Sequence, residues 1–417
     1  MDLVYYDDEM PDTLTKSIFL AGPSLRPGQD DLESWRKDAI QILEDKGFDG
    51  TVFIPEFRNR KPKGQFVWAD AVAWEDKYLN LSDCILFWVP RSKDLPGFTT
   101  NIEWGRWESS GKVVLGFPEN AEKMSYMKHY ADKYNVEVGE SLTETIDHAL
   151  DMLGEGMERL GGERYVPLIA WKLPAFQNWY KAQTDTGNQL TSAKLLYTFR
   201  PGYKKFTFLW VLHVAVYVAA EDRVKSNEFV LSRTDISTVM LWKKNLPLET
   251  SEVVLIKEFR SPASTKDGFI RELPGGSPPS EDEPKVVASE EIHEETGFYL
   301  DPARLQFHEA RQLMGTLSAH KSYFYSANLT EAEINWFKSQ KNVVHGKEED
   351  SERTFIEVYT IHDLIIGKAE VDWSTLGQIL LAYYQMQKNL NNDEGCQCGS
   401  LKNEQMCYNC FYGSDRD

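Results

Sequence analysis

The sequence predicts an α/β protein, built from an N-terminal doubly wound parallel-sheet domain, a C-terminal α+β domain and a short Cys-rich tail. Three observations predict it. Short apolar runs alternate with helical periodicities over residues 17–153, the pattern of a parallel sheet covered on both faces. After the Gly-rich segment 154–162, longer β-rich stretches with polar turns take over. Four of the five cysteines fall between residues 396 and 410. The expected domains are therefore 1–158, 159–391 and 392–417, and 417 residues suit two domains better than one.

The elements follow in order. Ser17–Ala21 is a short apolar strand stopped by Gly22-Pro23. Residues 32–46 form a helix, with Trp35, Ala39, Ile42 and Leu43 on one face and Gly47 at its end. Residues 51–54 make a second strand, closed by Pro55, and 67–81 a second helix. CILFWV at 84–89 is a fully apolar strand, followed by a helix over 102–110 and a strand over 113–117. Ser141-Leu-Thr-Glu144 is a capping-box match that opens a helix through Leu153. Strands are then expected at 205–220, 227–232 and 252–259, helices at 284–296 and 373–390, and no clear signal at 161–200. The longest apolar run, 206–220, is too short for a membrane helix, is interrupted by His213 and reads as a buried strand.

Lys plus Arg number 46 against 65 Asp plus Glu, a formal net charge of −19. That balance excludes a general binder of nucleic acid polymers and disfavours an anionic membrane surface. Small phosphorylated molecules remain open, since a metal ion and a few local cations can hold them. The acidic start MDLVYYDDEMPD lacks the basic-then-apolar order of a signal peptide, so a cytoplasmic protein is expected.

Three constellations carry chemistry. In a doubly wound sheet, ligands sit beyond the carboxyl ends of the strands. Gly22, Pro23, the turn containing Thr99, Thr100 and Asn101, and Glu103 just inside the next helix all fall there. A carboxylate so placed can attack an anomeric carbon, although a glutamate in a first helical turn is more often a partner of the helix dipole. The pair Glu75-Asp76 could hold sugar hydroxyls or protonate a leaving base. In the second constellation, Glu291, Glu294 and Glu295 stand at i, i+3 and i+4, so three carboxylates share one helix face. Hard oxygen ligands in that arrangement select Mg²⁺ or Mn²⁺; a solvated acidic face is the alternative. The third is Cys396-x-Cys398 with Cys407-x-x-Cys410, a candidate structural Zn²⁺ site, against redox-active thiols or an unstructured tail. Cys84 reads as core.

The motifs LAGP at 20–23, Trp74-Glu75, SDCILFWVPR at 82–91, TTNIEWG at 99–105 and GKVVLGFP at 111–118 keep one order. Together they resemble the nucleoside 2-deoxyribosyltransferase-like family across 16–155. The resemblance implies cleavage of an N-glycosidic bond, with Glu103 as nucleophile and Glu75 as the acid that holds a sugar hydroxyl. Classical transferases carry an Asp six residues before the nucleophile, where this chain has Gly97; Asp94 or another residue would have to supply that acid. Hydrolysis and transfer thus both stay open, on a nucleoside, a nucleotide or an NAD-like substrate.

A second resemblance is to the Nudix box. The frame runs Gly276, Asp282, Glu290, Glu291, Ile292, Glu294, Glu295, Gly297 and Phe298. Asp282 stands where Glu is usual, and Glu290 where an Arg usually orients the metal-binding acids, a role Lys285 could take. LIKEFRSPA at 255–263 and RELPGG at 271–276 resemble the ADP-ribose pyrophosphatase branch. That branch implies substrate contact by Arg260, a place near the metals for Glu272, a water-activating acid from the loop Glu348, Glu349, Asp350 and Glu352, and often a dimer. The two resemblances together imply a bifunctional nucleotide-metabolising enzyme. It would take small nucleotide substrates, with Mg²⁺ and a candidate Zn²⁺ as cofactors. Deoxynucleotide housecleaning, and a glycosidase regulated by a nucleotide-sensing Nudix domain, are the other readings.

Overall fold

The structure is a computed structural model and describes residues 1–25, 33–58, 67–200, 207–277, 283–347 and 352–393. The four tail cysteines, Asp282 and the acids at 348–350 lie outside the described residues. Two compact units emerge, Met1–Thr234 with Met314–Ala319, and Asp235–Leu313 with the chain from His320 onward.

In chain order the first unit contains strands β1 (Asp2–Val4), β2 (Thr13–Leu14) and β3 (Ser17–Ala21), helix α1 (Trp35–Asp45), β4 (Thr51–Phe53) and α2 (Trp68–Leu81). It continues with β5 (Cys84–Trp88), α3 (Phe98–Trp107), β6 (Val113–Gly116), α4 (Ser125–Lys133), β7 (Val138–Gly139) and α5 (Leu142–Leu153). The main sheet has the order β1-β4-β3-β5-β6-β7, and every neighbouring pair is parallel. Successive side chains alternate between its faces. Ile18, Leu20, Leu86 and Val114 pack with Ala39 and Leu43 of α1 and Ile146 and Ala149 of α5. Phe19, Phe87, Val113 and Leu115 pack with Leu79 and Leu81 of α2, Trp104 of α3 and Met127 of α4. Because β4 lies on one side of β3 and β5 on the other, the loops leaving β3 and β5 diverge and open a crevice at their carboxyl ends.

Two helix ends show how the chain starts and stops these elements. Ser141 caps α5 by accepting the backbone N–H of Glu144, as its capping-box pattern predicts. The buried Lys112 amine donates to the carbonyls of Leu79, Asn80 and Ser82 at 2.7, 2.7 and 2.8 Å, which satisfies the carboxyl end of α2.

Segment 161–200, silent in the sequence, contains α6 (Leu168–Trp171), α7 (Pro174–Thr184) and β9 (Gln189–Phe199), just after β8 (Arg159–Leu160), which pairs with β2. Strand β9 joins β10 (Leu209–Val218) and β11 (Arg223–Arg233) in an antiparallel sheet, order β11-β10-β9. The run predicted as a buried strand is buried on one face only: Trp210, Leu212 and Val214 join the same core as Ile18 and Leu20, while their neighbours stay partly exposed.

The compact division therefore falls at Thr234/Asp235 rather than in the Gly-rich stretch 154–162. Arg159, within that stretch, is fully buried and grips Asp83 at 2.7 and 2.6 Å. Asp83 also accepts from Ser17 Oγ at 2.9 Å and from the Leu168 N–H at 2.7 Å. Glycine richness marks local backbone freedom, but this ion pair fastens the segment to the sheet.

The second unit contains β12 (Ile236–Lys243), β13 (Glu252–Phe259), β14 (Phe269–Glu272), β15 (Gly275–Gly276), α8 (Pro284–Thr296), β16 (Gln306–Gln312) and β17 (Lys321–Asn328). It ends with α9 (Glu331–Ser339), β18 (Val344–His345), β19 (Thr354–Thr360), α10 (Ile361–Ile365) and α11 (Trp373–Asp393). Its mixed sheet runs β16-β17-β12-β13-β19-β18, with β14 on β13 and β15 on β12. One face, with Val239, Leu241 and Val254, packs on α8 and α9 through Ile292, Ile334 and Phe337. The other, with Met240, Trp242 and Leu255, packs on α10 and α11 through Leu364 and Ile379. Pro284 and Gly297, in the left-handed conformation with φ 71°, bound α8 as predicted. Among the described residues no helix is long and apolar enough to cross a membrane.

A buried carboxylate stripped of its cation is far more costly than the loss of both partners. Arg159→Met is expected to lower unfolding stability by about 3–5 kcal/mol. The double variant Asp83→Leu/Arg159→Met should lose clearly less, and urea denaturation midpoints compare the two.

Candidate active site

The crevice is formed by loops that approach because two residues lack side chains. A Cβ on Gly22 would lie 2.2 Å from the Trp88 carbonyl oxygen, and one on Gly97 would lie 2.9 Å from Pro23 Cγ. Gly97, left-handed at φ 62°, also starts α3 at Phe98, four residues before the predicted position. Glu103 is consequently the sixth residue of its helix, beyond the turn where the helix dipole acts, so the dipole-partner reading falls away.

Arg36 organises the same end of the sheet from the buried face of α1, where it is 1% exposed. Its Nε donates to Leu20 O at 3.0 Å and its Nη2 to Gly22 O at 2.9 Å. Its Nη1 reaches Ser24 Oγ at 3.1 Å and Glu56 Oε1 at 2.7 Å. One cation thus ties the exits of β3 and β4 to α1.

Both predicted acids are half-buried, Glu75 on α2 and Glu103 on α3. The Tyr6 hydroxyl donates to Glu75 Oε1. The Tyr6 ring sits 5.0 Å from Trp74 and 5.1 Å from Phe57, centroid to centroid. Burial raises the Glu75 carboxyl above its ordinary range, opposed by the Tyr6 hydrogen bond and the Arg36 charge. Burial pushes Glu103 up to about 7; the Glu75 charge adds to the rise and Arg36 opposes it. The fold therefore brings Glu75 and Glu103 within electrostatic reach of each other, with Arg36 acting on both.

The neighbouring turn is divided in its exposure. Thr99 and Asn101 are exposed, while Thr100 is fully buried and its hydroxyl has no hydrogen-bond partner among the described residues. Asn101 Oδ1 accepts from Arg91 Nη2 at 2.5 Å, which leaves the Asn101 amide nitrogen as the outward donor. Asp94 is exposed. Sequence reasoning missed Tyr6, Arg36 and Arg91. Arg36 alone had a signal: it falls at i, i+3 and i+7 with the buried Ala39 and Leu43, a charge on an apolar face.

The second unit gathers another set of acids. Glu295 is buried and accepts the Gly275 N–H at 2.8 Å. Burial holds its carboxyl well above the ordinary range against that hydrogen bond, with Glu291, Glu272 and Glu352 adding to the rise. Glu291 lies against β15, where a Cβ on Gly276 would meet its Oε1 at 2.4 Å. Glu294 turns elsewhere and pairs with Lys347 at 2.6 Å. Arg260 bridges Glu272 and Glu258 at 2.9 Å each. Burial pushes Glu258 up to about 7 against the pull of Arg260, with Glu272 and Glu352 adding. Sequence reasoning missed Glu258, which sits in an ordinary strand pattern. Among the described residues no three His, Cys, Asp or Glu side chains are grouped to hold a metal ion. Glu290 is exposed, and Cys84 is buried core as expected.

In comparison with known proteins, residues 15–121 match the family model described as "Nucleoside 2-deoxyribosyltransferase like". The match contains Arg36, Glu75 and Glu103. No curated protein matches the chain.

The raised Glu103 carboxyl has a consequence for stability. It binds its proton in the folded state up to about pH 7, whereas an exposed glutamate loses it near 4.5. Stability therefore falls as pH rises through that window. Glu103→Gln removes the penalty, so the variant should melt above the wild type at pH 8 and with it at pH 4, as thermal melts across that range would record.

Proposed function

We propose that the first unit cleaves or transfers at an N-glycosidic bond of a nucleoside, nucleotide or NAD-like substrate. The observation that carries this reading is the Glu75–Glu103 pair at the switch-point crevice, inside the segment that matches the family. In the proposed reaction a Glu103 carboxylate oxygen bonds to the anomeric carbon as the carbon–nitrogen bond breaks. The base leaves with the bonding pair; a purine or pyrimidine takes a proton as it goes, whereas nicotinamide departs neutral without one. Water, or a second base, then attacks the same carbon and frees Glu103. Glu75 holds a sugar hydroxyl or supplies the proton to the departing base. Thr99 and Asn101 are the exposed residues of the neighbouring turn and Asn101 offers an N–H donor, while Gly22, Pro23 and Thr100 are buried.

The test is a panel of deoxynucleosides, deoxynucleoside 5′-monophosphates and NAD read by mass spectrometry. Wild type should release free base from one class. Glu103→Ala should lose roughly a thousandfold or more of that rate. kcat/KM should rise with pH to a plateau above about 7, since the nucleophile must be ionised. Release of base at an unchanged rate by Glu103→Ala would sink the assignment.

A second reading concerns the second unit: a Nudix-like hydrolase of a nucleoside diphosphate-linked pyrophosphate such as ADP-ribose. The observation that favours it is the buried Glu295, which accepts the Gly275 N–H while the charges of Glu291, Glu272 and Glu352 add to the rise of its carboxyl. Their hard oxygens suit Mg²⁺ or Mn²⁺ as a donor type. Among the described residues these acids are not grouped to hold a metal ion, so no step of this reading runs through one. Arg260 would then contact the substrate, and the Lys347 partner of Glu294 makes that acid the least direct of the set. If both readings hold, NAD cleavage in the first unit would yield ADP-ribose for the second to split into AMP and ribose 5-phosphate.

Glu295→Gln should abolish release of AMP from ADP-ribose, and Glu294→Gln should reduce it less. Binding of ADP-ribose without any turnover, in wild type and variant alike, would favour a nucleotide-sensing role over hydrolysis.

A further inference from the structure

We propose that Tyr6 is a positioning residue of the Glu75–Glu103 site: with its ring packed against Trp74 and Phe57, its hydroxyl donates to Glu75 and holds that carboxylate in place beside Glu103. The inference rests on the N-glycosidic reading of that site. Tyr6 lies outside the matched segment 15–121, in a stretch where β1 extends the parallel sheet beyond β4. The chain thus contributes to its own crevice a residue that the matched segment does not contain.

The geometry fixes Tyr6 at both ends. Its backbone N–H donates to the Glu56 carbonyl at 3.1 Å, and the Glu56 carboxylate in turn grips Arg36 at 2.7 Å. Its ring is wedged between Trp74 and Phe57, and its hydroxyl donates to Glu75. Burial and the Glu75 charge hold the phenol well above its ordinary range, so it remains a donor throughout the working pH range. A donor to a carboxylate favours the ionised form and restricts its rotation. Among the described residues the charges that act on the pair come from three helices. Arg36 from α1 lowers both carboxyls, and Glu103 from α3 and Glu75 from α2 repel each other. Asp76 is turned to Arg106 at 2.5 Å and to Lys194 at 3.6 Å, away from this balance. Removing the Tyr6 hydroxyl therefore has one directed effect. Glu75 takes up a proton more readily, its repulsion of Glu103 weakens, and the two titrations move toward each other.

Tyr6→Phe keeps the ring packing and deletes only the donor. In protein carrying ¹³C-labelled glutamate carboxyls, the Glu75 midpoint should rise by about one pH unit and the Glu103 midpoint should fall. With whichever nucleoside the wild type cleaves, kcat should drop roughly tenfold or more with KM little changed. Unchanged midpoints in a Tyr6→Phe protein that melts like the wild type would overturn the proposal and leave Tyr6 a packing residue. Should Tyr6→Phe fail to fold, Glu75→Gln reads the same coupling: the Glu103 midpoint must fall, and a fixed midpoint overturns the proposal. If the wild type cleaves no N-glycosidic bond, the catalytic reading fails by itself, while the titrations still decide the role of Tyr6.

Discussion

The ion pair between Asp83 and Arg159 is the constraint on which the first unit depends. Both side chains are fully removed from water, and such a pair is tolerated when further hydrogen bonds satisfy most of the remaining lone pairs and protons. Here Ser17, Leu168, Val166 and Thr15 supply partners for the carboxylate and the two terminal guanidinium nitrogens, while the buried Arg159 Nε has none among the described residues. The cluster joins the start of β3, the start of β5 and the chain that follows α5 into a single knot beneath the parallel sheet. With the amino ends of β3 and β5 held there, their carboxyl ends are set at the opposite edge, where the crevice opens.

At that opposite edge the same logic recurs in a more exposed form. Arg36 satisfies the carbonyls of Leu20 and Gly22 and the Glu56 carboxylate, and its charge opposes the rise of two acids raised by burial, beside the Tyr6 hydrogen bond on Glu75. Burial strengthens every interaction in the crevice, so a nearby carboxylate, a nearby guanidinium and one phenolic donor suffice to separate the behaviour of Glu75 from that of Glu103. The acids of the second unit follow a similar pattern around Arg260. There the cation is divided between Glu258 and Glu272, while Glu295 leans on a backbone N–H.

Much of the parallel-sheet architecture was legible because its determinants are local. An apolar pentapeptide ending at Gly22, a helix stopped by Gly47 and a capping box at Ser141 each act within a turn or two of chain. Glu75 and Glu103 stood out for a related reason: they lie within recognisable words, Trp74-Glu75 and TTNIEWG, of the matched segment. What eluded the sequence was set by distant partners. The run 161–200 has weak periodicity, yet Leu190 and Leu195 are buried because Trp210 and the α1–α5 layer await them. The Gly-rich stretch looked like a linker because a buried arginine inside it cannot be known without the aspartate it meets.

By itself, then, the sequence determined the alternation of strands and helices over 17–153 and the helix that carries Glu291, Glu294 and Glu295, and it singled out the two crevice acids. These rest on periodicity, capping and spacing, which are properties of neighbouring residues. Only the tertiary structure decided that Tyr6 and Arg36 belong with Glu75 and Glu103, that Glu294 turns to Lys347 while Glu291 and Glu295 face β15, and that the first unit runs on to Thr234. For the acids the physical reason is that the free energy of a buried charge is fixed by whatever the fold places against it, and Tyr6 lies some seventy residues from Glu75; the first unit runs on because Leu190, Leu195 and Trp210 pack into the same core as Ile18.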